Sequence, residues 1–368
     1  MIHNILNILG VFHVKVEIQE LGLRQPIGLS FIVFSMISYL VDSYREEKVE
    51  RYHFSDLVLY GAFFPKIMSG PIVRWKDFCG ACSQGACLSD VYCGMMRFCI
   101  GFSKKILLAN QVAKVSDTIF AMEGNVHPLY AWIGIIAYSL YIFVDFSSYS
   151  DMAIGLGKVF GFTFLENFDY PYISTSIKEF WRRWHISLSS WFRDYVYIPL
   201  GGNRKGMKKT YLNLLTVFLL TGIWHGASWN YIIWGLYYGF FLILERVTSF
   251  TEKIPKFWAH VYALLVIMVG WVFFRTDNIS NALQYIENMF TCISVENYAH
   301  RIEMIRLLNV QNVAVFIVSV AIATPACKKV WDKMPSSMFK NIGVCVMFFV
   351  SICYMVASDY NPFIYFTF

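Results

Sequence analysis

The sequence has 368 residues, of which 57% are hydrophobic and 15% are charged. Soluble globular domains have about a quarter of their residues charged, so this composition excludes an ordinary soluble protein. The formal net charge is +6. The basic residues are scattered among apolar segments, which argues against a nucleic-acid-binding surface, where they would be clustered.

Apolar stretches recur along the whole chain, and several are shorter than the roughly 20 residues that a membrane crossing needs. We therefore expect an all-α, polytopic helical membrane protein with roughly eight to eleven spans, some short, broken or re-entrant, around a polar channel. No internal repeat or low-complexity linker divides the chain, so residues 1–368 are predicted to form one domain. The stretches cover residues 26–41, 57–68, 92–108, 129–144, 211–224, 229–244, 258–274, 310–326 and 342–357.

Three features of the polar segments complete this prediction. Residues 1–20 carry no recognisable cleavage site for a signal peptide. The basic loop 203–209 has the highest density of Lys and Arg, which places it on the cytoplasmic side by the positive-inside rule. Residues 275–309 are more polar than the flanking stretches, and we expect them to form surface helices.

The chain has nine cysteines, and Cys79, Cys82, Cys87 and Cys93 are close together in sequence. The first two form a C-x-x-C pair that would suit a metal ion. No histidine lies nearby and the later spacings match no common zinc site, so we expect free thiols and no metal.

Residues 137–235 form the motif core, where polar groups are unusually dense for a membrane protein. Ionisable residues at membrane depth are costly and by default mark a functional site. If 180–193 is a helix, Phe180, Trp184, Leu188 and Trp191 form its apolar face. A second face then carries Arg182, His185, Ser189 and Arg193. This face is predicted to line a polar channel, although arginines that meet lipid headgroups are an alternative interpretation.

His225 lies at the end of an apolar helix, before a Gly226-Ala227-Ser228 break. Ser228 is a candidate N-cap for the helix that follows. A neutral imidazole is what a general base requires. Burial favours the neutral form, whereas the dipole at a helix C-terminus favours the cation, so the residues alone leave the balance open. A buried histidine with a purely structural role remains the alternative.

Four runs of sequence resemble the bacterial membrane-bound O-acyltransferases: 145–155 (DFSSYSDMAIG), 180–189 (FWRRWHISLS), 191–206 (WFRDYVYIPLGGNRKG) and 221–229 (TGIWHGASW). Shorter flanking motifs extend the resemblance from about residue 21 to the end of the chain. The loop that ends the third run is most similar to the alginate-acetylating branch. The resemblance implies that His225 is the family's essential histidine and His185 its second conserved one.

The same resemblance implies roles for further residues. Arg182 and Arg183 would bind donor phosphates, while Asp145 and Asp151 would orient the imidazoles or pair with these arginines. The full set of expected substrate-binding residues is Asp145, Tyr149, Asp151, Arg182, Arg183, Trp184, Ser189, Arg193, Asp194 and Trp224.

The function implied is the passage of an acetyl group from a cytoplasmic thioester to an extracytoplasmic polysaccharide, in a bacterial cytoplasmic (inner) membrane. The donor would be acetyl-CoA or an acyl-thioester carrier, with no tightly bound cofactor. Expected partners are the lipid bilayer, an extracytoplasmic SGNH-hydrolase-like acetyltransferase and the polysaccharide synthesis machinery, and no nucleic acid. The alternatives are D-alanyl or peptidoglycan acyl transfer by the same fold, or a non-catalytic transporter or scaffold.

The sequence also departs from the family pattern. Ser35, Lys66 and Tyr141 stand where glutamine is expected, and Ser148 stands where glycine is usual. Relatives begin with additional membrane helices before the segment that matches Pro26, and this chain is expected to lack them.

Overall fold

The computed structural model describes residues 28–45, 53–68, 70–82, 85–226, 228–291, 298–334, 337–357 and 363. Within these ranges every regular element is helical, which confirms the all-α prediction. Residues Pro26, Ala227 and Glu296 lie outside the described residues, as does the side chain of Cys82.

The first half of the chain contains short helices followed by two long antiparallel ones. A π-helical turn, Lys104–Ala109, joins α5 to α6. The helices are α1 (Leu29–Arg45), α2 (Phe54–Ala62), α3 (Phe64–Ile67), α4 (Trp75–Cys82), α5 (Leu88–Ser103), α6 (Asn110–Phe120) and α7 (Pro128–Val159).

The second half begins with two short helices and continues with longer ones. A second π-helical turn, Arg193–Tyr197, follows α9. The helices are α8 (Ile177–Arg183), α9 (Ile186–Phe192), α10 (Met207–His225), α11 (Trp229–Thr248), α12 (Phe250–Lys253), α13 (Lys256–Arg275), α14 (Ile279–Phe290), α15 (Tyr298–Leu307), α16 (Val310–Ile322), α17 (Ala326–Lys333) and α18 (Ser337–Ala357).

Three helices in the described ranges are long and apolar enough to cross a membrane, namely α7, α13 and α18. A fourth candidate is the pair α15 and α16, which together pass the same test but are bent by 69°. The bend agrees with the expectation of broken or re-entrant segments. The total of eight to eleven spans stays a prediction.

Small residues let the long helices approach closely. A Cβ atom at Gly94 of α5 would lie 2.5 Å from the carbonyl oxygen of Gly155 in α7, and one at Gly101 would lie 2.7 Å from that of Ser148. In α10, a Cβ atom at Gly222 would lie 2.3 Å from the carbonyl oxygen of Tyr231 in α11. Such backbone contact is how helices associate in lipid, where no hydrophobic effect drives them together.

The polar segment 275–309 forms surface helices, as predicted, for the part that the structure describes. α14 buries Ala282, Tyr285, Asn288 and Met289 on one face. Its other face, which includes Leu283 and Gln284, is exposed.

The predicted continuous helix over 180–193 is wrong. α8 ends at Arg183, and α9 begins at Ile186 after a sharp turn. His185 has φ 45° and ψ 55°, a left-handed conformation that no interior residue of an α-helix adopts. The apolar face was nevertheless predicted correctly, because Phe180, Trp184, Leu188 and Trp191 are all buried.

Lys66 and Ser35, two of the residues that differ from the family pattern, contact each other. The Lys66 ammonium donates a hydrogen bond to Ser35 Oγ at 3.0 Å and lies 3.9 Å from the ring centroid of Tyr60. The two residues therefore form a polar pair that joins α1 to α3. Ser148 donates its hydroxyl to the Asp145 carbonyl at 2.6 Å, a bond within α7.

Candidate active site

His225 is the last residue of α10, and the chain reverses direction immediately after it. A Cβ atom at Gly226 would lie 2.7 Å from the ring of Tyr231, so the turn requires glycine at this position. Ser228 accepts a hydrogen bond from the backbone N–H of Asn230 at 3.4 Å, which confirms the predicted cap of α11. The break therefore fixes the imidazole at the junction of two helices.

Aromatic rings enclose His225, whose residue surface is only 8% exposed. Its ring centroid lies 4.6 Å from that of Trp224, 5.0 Å from Trp234 and 4.9 Å from Phe274. The last two contacts are edge-on, at 85° and 82°, the geometry that aromatic quadrupoles favour. The imidazole is thus held in one orientation and is largely shielded from water.

His185 is held in its left-handed conformation by Asn167. Asn167 Oδ1 lies 3.2 Å from His185 Nδ1 and accepts from the backbone N–H and hydroxyl of Ser187 at 3.1 and 2.9 Å. The Asn167 carbonyl accepts from Ile186 N–H at 3.0 Å. A non-glycine residue in this conformation costs about 1–3 kcal/mol and persists where its surroundings determine it, commonly at functional sites.

Trp224 lies between the two histidines. Its ring centroid is 6.5 Å from His185 and 4.6 Å from His225. The three residues therefore form one cluster, and their role in catalysis or binding stays a prediction. The indole N–H groups of Trp224 and Trp234 are buried and have no acceptor among the residues described.

A large cavity opens beside the basic loop, and we call it the loop-side cavity. Its volume is about 890 Å³. Of the face predicted for 180–193, it receives Arg182, Ser189 and Arg193 but not His185, which the turn directs away from it. Its lining also includes Lys178, Glu179, Trp181, Asn203, Phe218, Thr221, Glu245, Arg246, Ser249 and Glu252.

A second cavity, the far cavity, has a volume of about 450 Å³ and lies at the other end of α13. The loop-side cavity is lined by Ser249 and Glu252, which precede α13, and the far cavity by Arg275 and Thr276 at its end. A helix of this length spans about 30 Å. The remaining residues of the far cavity are Asp117, Phe120, Ala121, Met122, Glu123, Gly124, Val126, Asp277, Asn281, Gln284, Tyr285 and Asn288.

Aromatic contacts connect these two cavities through His225. Trp181, in the wall of the loop-side cavity, lies 5.7 Å from Trp234. Trp234 contacts His225, which contacts Phe274, the residue before Arg275 of the far cavity. His225, which lines neither cavity, is therefore part of a series of ring contacts that runs from the wall of the loop-side cavity to the residue before Arg275.

The observed ion pair of Asp145 does not involve Arg182, Arg183 or either histidine. Its carboxylate pairs with the ammonium of Lys105 at 2.6 Å, with side-chain exposures of 1% and 4%. Asp151 pairs with Arg97 and Lys104 at 2.9 and 2.8 Å. The partners come from α5 and the π-helical turn, in a region that the sequence motifs did not highlight.

Tyr149 and Asp151, both on α7, are not part of the lining of the loop-side cavity. Asp151 lines a third cavity of about 860 Å³, the lateral cavity, together with Asn167. Tyr149 contacts the ring of Phe363 at 5.2 Å. Because Asn167 also binds His185, one residue separates the lateral cavity from that histidine.

The other predicted site residues are engaged in structural contacts. Arg183 pairs with Asp169 and Glu179 at 2.7 and 3.0 Å, and its predicted contact with a donor phosphate stays a prediction. Asp194 pairs with Arg193 and Arg74. Trp184 is 2% exposed in the aromatic core.

Three residues of the site were missed at the sequence level. Asn167 positions His185, as described above. Asn230 donates to the Thr276 carbonyl at 2.6 Å and so joins the start of α11 to the far cavity. Glu245 accepts from the backbone N–H groups of Ile177 and Lys178 at 2.6 and 3.0 Å, which anchors α8. Asn230 directly follows the fourth motif, 221–229, but its partner is 46 residues away.

The cysteine cluster does not assemble around a metal site in the ranges that the structure covers. Cys79 is half-buried, while Cys87 and Cys93 are exposed. No group of three or more potential metal ligands occurs among the described side chains.

The buried pair of Lys105 and Asp145 makes a testable prediction about stability. The Lys105→Met substitution leaves a buried carboxylate without its ammonium partner and is expected to lower the free energy of unfolding by about 3–5 kcal/mol. Adding Asp145→Leu should restore most of that loss. Denaturation midpoints of the purified protein in detergent measure both effects. The exposed pair of Arg306 and Glu303 is the control, because Arg306→Met should cost about 1 kcal/mol or less. A double variant as unstable as Lys105→Met alone would contradict this account.

Comparison with known proteins identifies the family. The model of the MBOAT, membrane-bound O-acyltransferase family matches residues 29–279. A protein of Pseudomonas putida named "Probable alginate O-acetylase AlgI" is 38% identical over 368 residues, with coverage of 93% of this chain and 75% of the relative. A protein of the same name from Azotobacter vinelandii is 45% identical over 272 residues, covering 72% and 54%. The peptidoglycan O-acetyltransferase of Helicobacter pylori is 31% identical over 403 residues, covering 96% and 76%.

The extent of these matches differs between relatives. The chain spans about half the length of several curated relatives it matches, between 52% and 56% for four of the alginate O-acetylases. The family match nevertheless contains both histidines, the helix break after His225 and the whole of α13. The chain belongs to the membrane-bound O-acyltransferase family.

Proposed function

We propose that the protein transfers an acetyl group from a cytoplasmic thioester to a hydroxyl group on the opposite side of the bacterial cytoplasmic membrane. One observation carries this proposal: ring contacts connect the buried His225, through Trp234 and Trp181, to the wall of the loop-side cavity and, through Phe274, to the residue before Arg275 of the far cavity. The names of the relatives, alginate O-acetylase and peptidoglycan O-acetyltransferase, support a polysaccharide as the final acceptor.

The loop-side cavity is suited to a phosphate-bearing thioester such as acetyl-CoA or an acyl-carrier arm. Its lining has four cationic side chains, Lys178, Arg182, Arg193 and Arg246, and three carboxylates, of which Glu179 pairs with Arg183 and Glu245 accepts from backbone N–H groups. Arg182 forms no ion pair with the side chains described, so its planar guanidinium is available for a phosphate. The basic loop 203–209 beside this cavity supports a cytoplasmic position for it by the positive-inside rule.

In the proposed reaction, His225 acts as the general base. The acceptor hydroxyl attacks the thioester carbonyl while the imidazole takes its proton. The tetrahedral intermediate collapses, the carbon–sulfur bond breaks, and the thiolate leaves with the proton from the imidazolium. Such a base contributes about 10²–10⁴-fold to the rate.

The oxyanion of the intermediate requires donors, and the indole N–H groups of Trp224 and Trp234 supply them in this proposal. Both are buried, both contact His225, and neither has an acceptor in the described part of the chain. Donors held in a water-excluded site stabilise developing charge strongly because they need no reorganisation. His185, which Asn167 holds in place, lies beside Trp224 and helps to fix the position of its indole ring.

The acceptor hydroxyl belongs either to the polysaccharide or to an extracytoplasmic hydrolase-like acetyltransferase that passes the group on. Both routes use the same step at His225. The D-alanyl and peptidoglycan alternatives differ only in the acyl group and the acceptor.

His225→Ala is expected to abolish acyl transfer, because it removes the general base. The measurement is the ester-linked acetyl content of extracellular polysaccharide in a deletion strain complemented with wild type or the variant at equal membrane levels. His53→Ala, at an exposed histidine before α2, is the control and should restore acetylation. If His225→Ala restores it as well, the chain acts as a scaffold and the catalytic role of this histidine is refuted.

Arg182 and Arg183 are adjacent but should respond differently to substitution. Arg182→Ala is expected to raise the KM for the acyl donor at least tenfold with little change in stability, because a charged hydrogen bond contributes about 1.5–3 kcal/mol. Arg183→Ala breaks the pairs with Asp169 and Glu179 and should lower the denaturation midpoint instead. Steady-state kinetics of the purified protein with acetyl-CoA, with melting curves, separate the two effects. Equal KM values for Arg182→Ala and wild type would contradict phosphate binding by Arg182.

A further inference from the structure

The lateral cavity has charged side chains at one end and apolar side chains at the other. We propose that it binds one anionic phospholipid, with the phosphate at Lys328 and an acyl chain along α5. The lipid is a bound ligand and not a reactant, so this inference does not depend on the chemistry of acyl transfer.

One wall of the lateral cavity follows α5 and the π-helical turn after it. The lining residues occur there in the order Arg97, Ile100, Lys104, Leu107 and Leu108. At a rise of 1.5 Å per residue, the first and the last are separated by roughly 16 Å. This wall therefore changes from charged side chains to apolar ones along its length.

The orientation of α18 shows which end of the cavity α17 occupies. Tyr92, near the start of α5, donates a hydrogen bond to Asn341, near the start of α18. Farther along both helices, the rings of Phe102 and Phe348 are 5.3 Å apart, so the two helices run parallel. Because α17 immediately precedes α18 in sequence, it lies towards the Arg97 end.

α17 has the features of a segment at the membrane surface. It connects the bent pair α15 and α16 to α18, and both of these are candidate membrane spans. It contributes Lys328 and Trp331 to the lining, and the Lys340 ammonium lies 5.6 Å from the ring centroid of Trp331. Tryptophan and lysine at the ends of membrane helices are typical of the headgroup level. The charged end of the cavity therefore coincides with that level.

The apolar part of the cavity lies between helices that border the bilayer. Val318 of α16 and Met347 of α18 both line it, and they are 43% and 38% exposed. Only Val344 and Ser351 of α18 are buried. An apolar space offers water too few hydrogen-bond partners, so a lipid chain is the occupant that a gap at this position favours. The volume of about 860 Å³ is within the range of small-molecule sites.

The charges of the lining favour an anionic headgroup. The existing ion pairs are Arg97 with Asp151 and Glu166, Lys104 with Asp151, and Arg183, from outside the lining, with Asp169. The remaining cation of the lining is the exposed Lys328, which pairs with no carboxylate among the described side chains. Four cations thus accompany three carboxylates. A lipid with one net negative charge balances the excess, whereas a zwitterionic lipid leaves it.

The lateral cavity also reaches a residue that orients His185. Asn167, in its lining, donates to Ser150 Oγ at 3.2 Å, and its Oδ1 lies 3.2 Å from His185 Nδ1. A lipid in this cavity therefore lies beside the residue that holds His185, and its binding should stabilise the folded protein.

Native mass spectrometry of the delipidated protein in detergent, at low ionic strength, tests this inference. The probes are dioleoyl phosphatidylglycerol, dioleoyl phosphatidylethanolamine and glycerol phosphate. One phosphatidylglycerol should bind more tightly than phosphatidylethanolamine and should raise the melting temperature, and glycerol phosphate should not displace it. Equal binding of the two lipids would refute the choice of an anionic lipid. Displacement by glycerol phosphate would show a site for phosphate alone and would refute the lipid.

Paired variants locate the binding in the lateral cavity. Lys328→Gln is expected to weaken phosphatidylglycerol about fivefold, the effect of losing an exposed ion pair of about 1 kcal/mol. Lys329→Gln, at the adjacent exposed position outside the lining, is its control and should bind like wild type. Equal affinities of Lys328→Gln and wild type would contradict the proposed phosphate contact.

The apolar end is tested in the same way. Val318→Trp fills part of the cavity and should prevent binding of the lipid chain, whereas Val320→Trp, at a similarly exposed position of α16 outside the lining, should not. Melting curves show whether each variant is folded, and the Lys328→Gln comparison decides the matter if Val318→Trp does not fold. A folded Val318→Trp protein that binds phosphatidylglycerol like wild type would refute the lateral cavity as the site.

Discussion

The break between α10 and α11 determines where a polar group can operate inside this apolar chain. Gly226 allows the backbone to turn against the ring of Tyr231, Ser228 caps the new helix, and His225 is left at the junction among Trp224, Trp234 and Phe274. In a low-dielectric interior, polar groups must be partnered or be costly. A helix end exposes such groups at a defined depth, and the surrounding rings exclude water.

The proposed roles of the two cavities depend on their position relative to this junction. α13 runs past it with Ser249 and Glu252 near one end and Arg275 at the other, and ring contacts connect His225 towards both ends. Glu245 anchors α8 from the loop side, and Asn230 ties α11 to Thr276 on the far side. The charges of the two linings differ: the loop-side cavity has four cationic side chains beside its three carboxylates, whereas the far cavity has one guanidinium beside its three carboxylates.

Local signals in the sequence predicted the helical class of the fold and brought attention to the cluster around His225. The all-α class, the cap at Ser228 and the proximity of His185, Trp224 and His225 follow from composition, helix-end chemistry and motif resemblance. Tertiary contacts account for the failures. The partners of Asp145 and Asp151 are Lys105, Lys104 and Arg97, on a different helix and far away in sequence. The left-handed turn at His185 is invisible to periodicity because Asn167, 18 residues earlier, holds it.

The sidedness of transfer in inside-out membrane vesicles tests the central claim most directly. Radiolabelled acetyl-CoA is supplied only to the outer medium, which contacts the cytoplasmic face, and polysaccharide acceptor is enclosed in the lumen. The account predicts that label enters the enclosed acceptor, and that it does not in vesicles carrying His225→Ala. Label found only on acceptor added to the same side as the donor would show that the two cavities do not form one route past His225.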